Sequence, residues 1–384
     1  MSRPLAKFKD VAQIVTGSTP KKVDGNYNGT VPFVTPGDLG SNALISNAKV
    51  TVTEKGAKSG RLLPKGTVMV CCIGATIGKV GIAERDVISN QQINSLIFDE
   101  LQVYPKYGYY FCLTIKPLLL NRSSSTTMPI VNKSNFSEFE IPLPPLDEQK
   151  RIAAILDKAD AIRRKRQQAI QLADDFLRSV FLDMFGEHFT TDGYKVSNKK
   201  KIKDLVDYID YRGRTPQKSD SGIPLITAKN VKKGFVSEEP REFIPEKNYL
   251  DWMTRGLPRE GDVLFTTEAP LGNAALLGCY DKVVVGQRLI ALRSKGELTQ
   301  EYLLYCLLNQ FIQDEIYKRS SGSTVKGIRT KELYEIELPI PDIKLQKKFS
   351  KVYKKFVQSK HRLQGTIIES DNMFNSLSQK AFAG

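Results

Sequence analysis

Between positions 143 and 186 the apolar residues fall at Ile152, Ile155, Leu156, Ala159, Ile162, Ala169, Leu172, Ala173, Phe176, Val180 and Phe181. Their spacing lays them along one wide stripe, which predicts a single long amphipathic helix. Pro144 and Pro145 bar a helix upstream, because proline lacks an N–H and disfavours helical backbone in the residue before it. Asp147 and Glu148 then set negative charge against the free N–H groups of the first turn. Gly186 is placed to end the helix in a left-handed conformation. At about 1.5 Å per residue such a rod is ~55 Å long. A rod of that length with an apolar stripe needs a partner.

The partner is predicted in the same chain. LPIPDIKLQKKF falls on IPLPPLDEQKRI without a gap, setting Pro142 on Pro339, Pro144 on Pro341 and Gln149 on Gln346. Leu345, Phe349, Val352, Phe356, Ser359, Leu363, Thr366, Ser370, Met373 and Leu377 follow at alternating steps of four and three. That is the seam of a coiled coil, with three polar breaks.

The segments ahead of the rods match as well. KFKD at Lys7–Asp10 returns as KIKD at Lys201–Asp204, and GSTPKK at Gly17–Lys22 as GRTPQK at Gly213–Lys218. VPFVTPGDL at Val31–Leu39 answers to IPLITAKNV at Ile223–Val231, and Leu63–Val68 to Leu257–Val263. Gly74–Gly78 (GATIG) matches Glu268–Gly272 (EAPLG), and Gln92 matches Gln287. The offset stays between 192 and 197 residues, so the chain reads as a tandem duplication. Each globule is predicted to be α+β. Short β-branched runs (Thr67–Ile73, Val80–Ile82, Ile93–Phe98; Val263–Thr267, Val283–Val285, Leu289–Leu292) precede one helix, Lys106–Leu120 or Thr299–Lys318. A polar loop, Asn121–Lys133 or Arg319–Lys331, leads back to the rod. The predicted order is globule 1–142, rod 143–186, globule 187–338 and rod 339–384, with the rods packed as an antiparallel coiled coil about a pseudo-two-fold axis.

Charge narrows the class of partner. Fifty-seven basic against 42 acidic residues leave +15, which favours a polyanion without separating DNA from RNA or a membrane surface. Cys71, Cys72, Cys112, Cys279 and Cys306 are odd in number and show no CxxC, as expected of reduced thiols in a cytoplasmic protein. MSRPLAKFKD lacks the apolar core of a secretory signal. GATIGK at Gly74–Lys79 is not GxxxxGK[ST] and reads as a turn. Arg163–Arg166 is a basic block on the rod, solvated or partner-facing rather than a DNA contact. His188 and His361 have no neighbours at metal spacing, and Trp252 is a core or interface anchor. No cofactor motif, no Asn/Asp-Pro-Pro-aromatic tetrad and no carboxylate cluster points to catalysis.

The duplicated layout, the GxTP motif, the Ile-Pro strand start and the LPPLDEQxRI rod start resemble the specificity subunits of type I DNA restriction–modification systems. The resemblance spans nearly the whole chain. It implies that each globule is a target-recognition domain reading one half of a split duplex DNA sequence. It also implies that the rods set the separation and bind two modification subunits, which recruit restriction–translocase subunits. The chain itself would be non-catalytic and need no cofactor. Glu148 is matched by Leu345 and Gly74 by Glu268, which makes the second rod start the weaker copy.

Two similar globules on antiparallel rods also suit the local dyads of a duplex. Candidate contacts lie in the loops: Lys21, Lys22, Asn26 and Tyr27 in the first GxTP loop; Arg212, Arg214, Gln217 and Lys218 in the second. Arg, Asn and Gln can bond a base edge twice, whereas Lys serves phosphates. Ser124, Thr126, Thr127 and Lys133, with Ser323, Thr324, Lys326 and Arg329, suit phosphate contacts. The alternative for any of these is a solvated loop residue. The alternative for the whole chain is a coiled-coil scaffold whose globules bind protein, and sequence-selective, salt-dependent DNA retention separates the two.

Overall fold

A computed structural model describes residues 3–23, 25–40, 44–123, 129–211 and 215–382. The chain forms two compact units, Met1–Gln168 with Gly365–Gly384, and Ala169–Gln364. The boundary falls inside both long helices, Leu146–Phe185 and Ile343–Phe382. Each unit therefore holds one globule, the first part of the helix that follows it and the last part of the other helix.

In the first unit the runs of β-branched residues become a five-stranded sheet. Its strands are β1 (Ala12–Thr16), β2 (Leu44–Ile45), β3 (Val68–Cys71), β4 (Val80–Ala83) and β5 (Ile93–Phe98), in the order β1-β5-β3-β4-β2. All pairings are antiparallel except β4 with β2. A second sheet joins Val50–Val52, Tyr27–Val34 and Ile88–Ser89. The second unit repeats the plan with β6 (Val206–Asp210), β7 (Val263–Thr266), β8 (Ala274–Leu276) and β9 (Leu289–Ser294) in the order β6-β9-β7-β8.

Each globule is tied to its helix in the same two ways. A short N-terminal strand, Leu5–Lys7 or Lys199–Lys201, pairs antiparallel with the strand before the rod, Glu140–Pro142 or Glu337–Pro339. Lys7 and Lys9 both reach Glu138, and Lys201 and Lys203 both reach Glu335; the paired ammonium groups hold each carboxyl down at about 2. The second tie is a glutamine with no solvent exposure. Gln149 Oε1 accepts from the Tyr104 amide at 2.9 Å, while Nε2 donates to the Gln102 and Pro144 carbonyls, each at 2.8 Å. Gln346 repeats this with the Thr299 amide (2.9 Å), the Glu297 carbonyl (3.2 Å) and the Pro341 carbonyl (2.9 Å).

Within each unit the two helix segments run antiparallel. In the first, Arg163 lies 3.9 Å from Asp371 and its guanidinium sits 4.5 Å over the Phe374 ring, while Arg166 donates to the Thr366 carbonyl. In the second, Lys360 bonds Asp174 at 2.6 Å and the Phe176 and Phe356 rings are 6.4 Å apart. The basic block Arg163–Arg166 is thus largely engaged along the helices, with Asp160 taking both Arg163 and Arg164 at 2.5 Å. Aromatic packing supplies much of the core. The Phe181 ring has Phe185, Phe189, Tyr302, Tyr305 and Phe349 within 5.2–5.7 Å, so truncating it to alanine should cost about 3–5 kcal/mol.

Several sequence expectations need correction. Gly186 is not left-handed; it opens a 3₁₀ turn, Gly186–Phe189, that carries Phe189 onto Phe181. The one helix expected per globule is two. Pro117 near the start of Lys116–Asn121 separates it from Pro105–Thr114, and the Asn309 side chain caps Gln310–Lys318 after Gln300–Leu308. The stripe on the first rod is narrower than its apolar positions suggest, since Ile155, Ile162, Leu172 and Phe176 are exposed. On the second rod Ser359 and Met373 face solvent, and their neighbours Lys360 and Phe374 face inward. One line of the predicted seam is shifted by a residue, because Tyr353 and Phe374 are drawn against the globules' aromatic residues Tyr305 and Tyr110. Trp252 is a core residue stacked on Tyr211, with ring centroids 6.0 Å apart.

Candidate nucleic-acid interface

Antiparallel strands deliver the loops between them alternately to the two ends of a sheet. In the first unit β1 ends at Thr16 and β3 at Cys71, where β5 begins, so three connections emerge together. The GxTP loop leaves through Gly17, whose amide bonds the Ile93 carbonyl, and Ser18, whose amide bonds Ser89. Its Thr19 hydroxyl donates to Gln91 Oε1 at 2.6 Å. The Gly74–Gly78 turn follows β3, with both terminal glycines at φ +82°, a left-handed backbone that favours glycine. The polar loop before the rod meets this turn, as the Gly74 amide donates to Pro129 and the Val131 amide to Cys72.

The second unit assembles the same parts. Thr215 donates to Gln287 Oε1 at 2.8 Å, Ile328 N–H to the Thr267 carbonyl, and Thr330 Oγ1 to Asp210 Oδ2 at 3.3 Å. The geometry also revises the alignment of the repeats. Gln91, not Gln92, is the counterpart of Gln287, since each accepts from the GxTP threonine; Arg288 therefore stands where Gln92 does. Gly74 corresponds to Ala269, which shares its positive φ at +45°, and Glu268 to Ile73, each bridged to the polar loop at Gly327 or Ile130.

The predicted contact residues divide by environment. Lys21, Lys22, Lys133, Gln217, Lys218, Ser323, Thr324, Lys326 and Arg329 are exposed at this end of their sheets. Lys218 is held by Glu242 at 2.8 Å, whereas Lys21, Lys22, Lys326 and Arg329 make no ion pair among the described residues. Asn26 is only 4% exposed and donates to the Lys21 carbonyl; the Tyr27 hydroxyl donates to the Pro20 carbonyl. Both shape the loop, and a side chain buried like Asn26 cannot reach a groove. Ser124, Thr126, Thr127, Arg212 and Arg214 lie outside the described residues.

The opposite end of the first sheet has the other polarity, with exposed Glu84, Asp86, Asp99 and Glu100 against Lys65 and Arg85. The loop end of that sheet, with exposed Lys21, Lys22 and Lys133, is the more basic of the two. The sequence pattern missed Asn90, Gln91, Gln92, Glu268, Gln287 and Arg288 as members of this cluster. The amide run Asn90-Gln91-Gln92 beside a strand start was the available signal. Among the described residues no cluster of His, Cys, Asp or Glu could hold a metal ion.

A family model described as "Type I restriction modification DNA specificity domain" matches residues 5–172 and again 195–370. The type I restriction enzyme MjaIX specificity subunit of Methanocaldococcus jannaschii is 27% identical over 370 residues, covering 89% of this chain and 84% of that protein. The MjaVIII specificity subunit of the same organism is 23% identical, covering 89% and 83%. Among solved structures, the S subunit of a type I restriction–modification system from M. genitalium superposes with a TM-score of 0.56 at 16% identity, over 100% of this chain and 99% of that one. A chain from a type I R-M system study gives 0.51 at 18%, over 99% and 97%. At such identities the structural likeness speaks to the fold.

Proposed function

The chain belongs to the family of type I restriction modification DNA specificity domains, and from that premise we propose that it reads a two-part duplex DNA sequence for a type I restriction–modification complex. Residues 1–142 and 187–338 act as target-recognition domains, one per half-site. The helical regions 143–186 and 339–384 act as spacer and as docking surface. The observation that carries this reading is the duplicated loop cluster: each family domain gathers a GxTP loop, a strand start and a polar loop at one end of its sheet. The two clusters differ in their side chains, so the half-sites differ and the whole target is asymmetric.

The subunit is a recognition component, and methylation and cleavage belong to its partners. Exposed Ile155, Ile162, Ile368 and Met373 in one unit, and Leu172, Phe176, Leu182 and Val357 in the other, give each helix pair an apolar face for a modification subunit. Two such subunits bind, one per repeat, and the restriction subunits join through them. Among the described residues no helix is long and apolar enough to cross a membrane, and a cytoplasmic location beside the DNA completes the reading.

Genome-wide mapping of methylated positions in cells with and without this gene tests the proposal. The expected result is one two-part motif that vanishes with the gene. In vitro, the chain with its modification subunit should retain duplexes carrying that motif, with affinity falling steeply as salt rises. A methylation pattern indifferent to the gene would refute the reading and favour a protein-binding scaffold.

A further inference from the structure

We propose that Arg288 is a specificity-determining residue that reads a guanine in the half-site of the second recognition domain; the inference rests on the DNA-reading function proposed above. Arg288 immediately precedes β9 in the second loop cluster. Its backbone is fixed, because its carbonyl accepts from the Thr267 amide at 3.1 Å and the Thr267 hydroxyl at 3.3 Å. The preceding residue, Gln287, has its side-chain oxygen taken up by the GxTP threonine. The side chain is half exposed, and its Nε lies 3.2 Å from Glu268 Oε1.

Glu268 is itself placed by the polar loop, being bridged to Gly327, where an added Cβ would lie 3.3 Å from the Glu268 Cβ. The carboxylate thus braces the inner edge of the guanidinium. The two terminal nitrogens make no hydrogen bond among the described residues. A braced arginine with its outer fork free fits the O6 and N7 acceptors of guanine in the major groove, and the brace lowers the cost of ordering a flexible side chain.

The first unit offers an internal contrast. There the same position is Gln92, whose Oε1 accepts from Asn90 Nδ2 at 3.0 Å and whose backbone carbonyl accepts from the Cys72 amide at 2.8 Å. The scaffold is shared and the presented group differs, an amide in one domain and a guanidinium in the other. A carboxamide matches adenine rather than guanine. Arg288→Gln therefore gives the second domain the first domain's chemistry at this position.

The test is methylation-motif mapping in cells carrying the complete complex with wild-type subunit, Arg288→Gln or Arg288→Lys. With the wild type, the second domain's half-site, the one left unchanged when residues 1–142 are exchanged, should contain an obligatory G·C pair. Arg288→Gln should weaken discrimination at that one position by about tenfold to a hundredfold and favour A·T there, with the other half-site untouched. Arg288→Lys keeps the charge and the pairing with Glu268 but replaces the planar fork by a single ammonium that can still donate to guanine; it should retain salt-dependent DNA binding and weaken the same discrimination less than glutamine does. A second half-site without G·C, a motif unchanged by Arg288→Gln, or a greater loss of G·C preference with lysine than with glutamine would overturn the assignment. Failure of the underlying reading would show separately, as absence of any two-part motif with the wild type.

Discussion

Replacing Gln149 by leucine removes a side chain of similar size that satisfies three backbone groups at the junction of globule and rod. Three bonds at about 1 kcal/mol each are lost, and leaving the Tyr104 amide buried without an acceptor adds about 1–3 kcal/mol. Water cannot substitute easily at a site with no solvent exposure. The expected loss is roughly 4–6 kcal/mol, a large share of a typical domain's stability. Gln346→Leu should cost a similar amount in the other unit, slightly less because one of its bonds is 3.2 Å long. The chain's one tryptophan makes the units separable in a urea titration. Trp252 is buried against Tyr211 in the second unit, so its fluorescence reports that unit, while far-UV circular dichroism reports both. Gln346→Leu should lower the fluorescence midpoint; Gln149→Leu should lower only the part of the dichroism change that fluorescence does not follow. Losses below about 1 kcal/mol in both variants would refute the assigned weight of these bonds. A fluorescence midpoint that falls equally with Gln149→Leu would refute the assignment of each glutamine to its own unit.

Exchanging residues 1–142 for the matching segment of another specificity subunit should alter one half of the methylated motif; a change in both halves or neither would reject the modular reading. Acid should loosen both N-terminal straps. Because Glu138 and Glu335 are held down at about 2, below an ordinary carboxylate, their contribution is present above about pH 4.3 and lost as the pH falls towards 2. Glu138→Gln with Glu335→Gln should flatten that part of a stability-against-pH curve and leave it steep elsewhere. Of the five cysteines only Cys279 is exposed, so a thiol reagent should label one site rapidly in the native chain and five after denaturation. Burial pushes the Cys72 thiol up to about 12, which further slows its reaction.

The rods were legible because prolines, first-turn acids and a sustained period are local signals. Which face of a rod meets its partner was less so. Ile155 and Ile162 lie on the apolar stripe, yet the helix needs only Ile152, Leu156 and Ala159 to cover its globule, and the surplus stays exposed. Chemical type misled at Asn26, an apparent base reader whose amide is consumed inside its own loop. The pairing of Thr19 with Gln91 was out of reach, because it joins residues far apart in sequence through the end of a sheet. Arg288 was hidden by the alignment itself, which set Gln92 on Gln287 until the threonine contacts fixed the register. The helix breaks at Pro117 and Asn309 were readable from a proline and a capping residue.

The division of both long helices between units bears on how the polypeptide is made. The second unit is one uninterrupted segment, so its parts leave the ribosome in succession and can close on one another. The first unit must wait for residues 365–384, synthesised after the whole of the second. Until they arrive, the aromatic surface of Tyr107, Tyr110 and Phe111 lacks Phe374 and Phe382, whose rings later lie 5.2–6.1 Å away. A frameshift or nick that strips those residues would therefore harm the N-terminal reader while sparing the C-terminal one. Damage at one end of the gene would be felt in the domain encoded at the other.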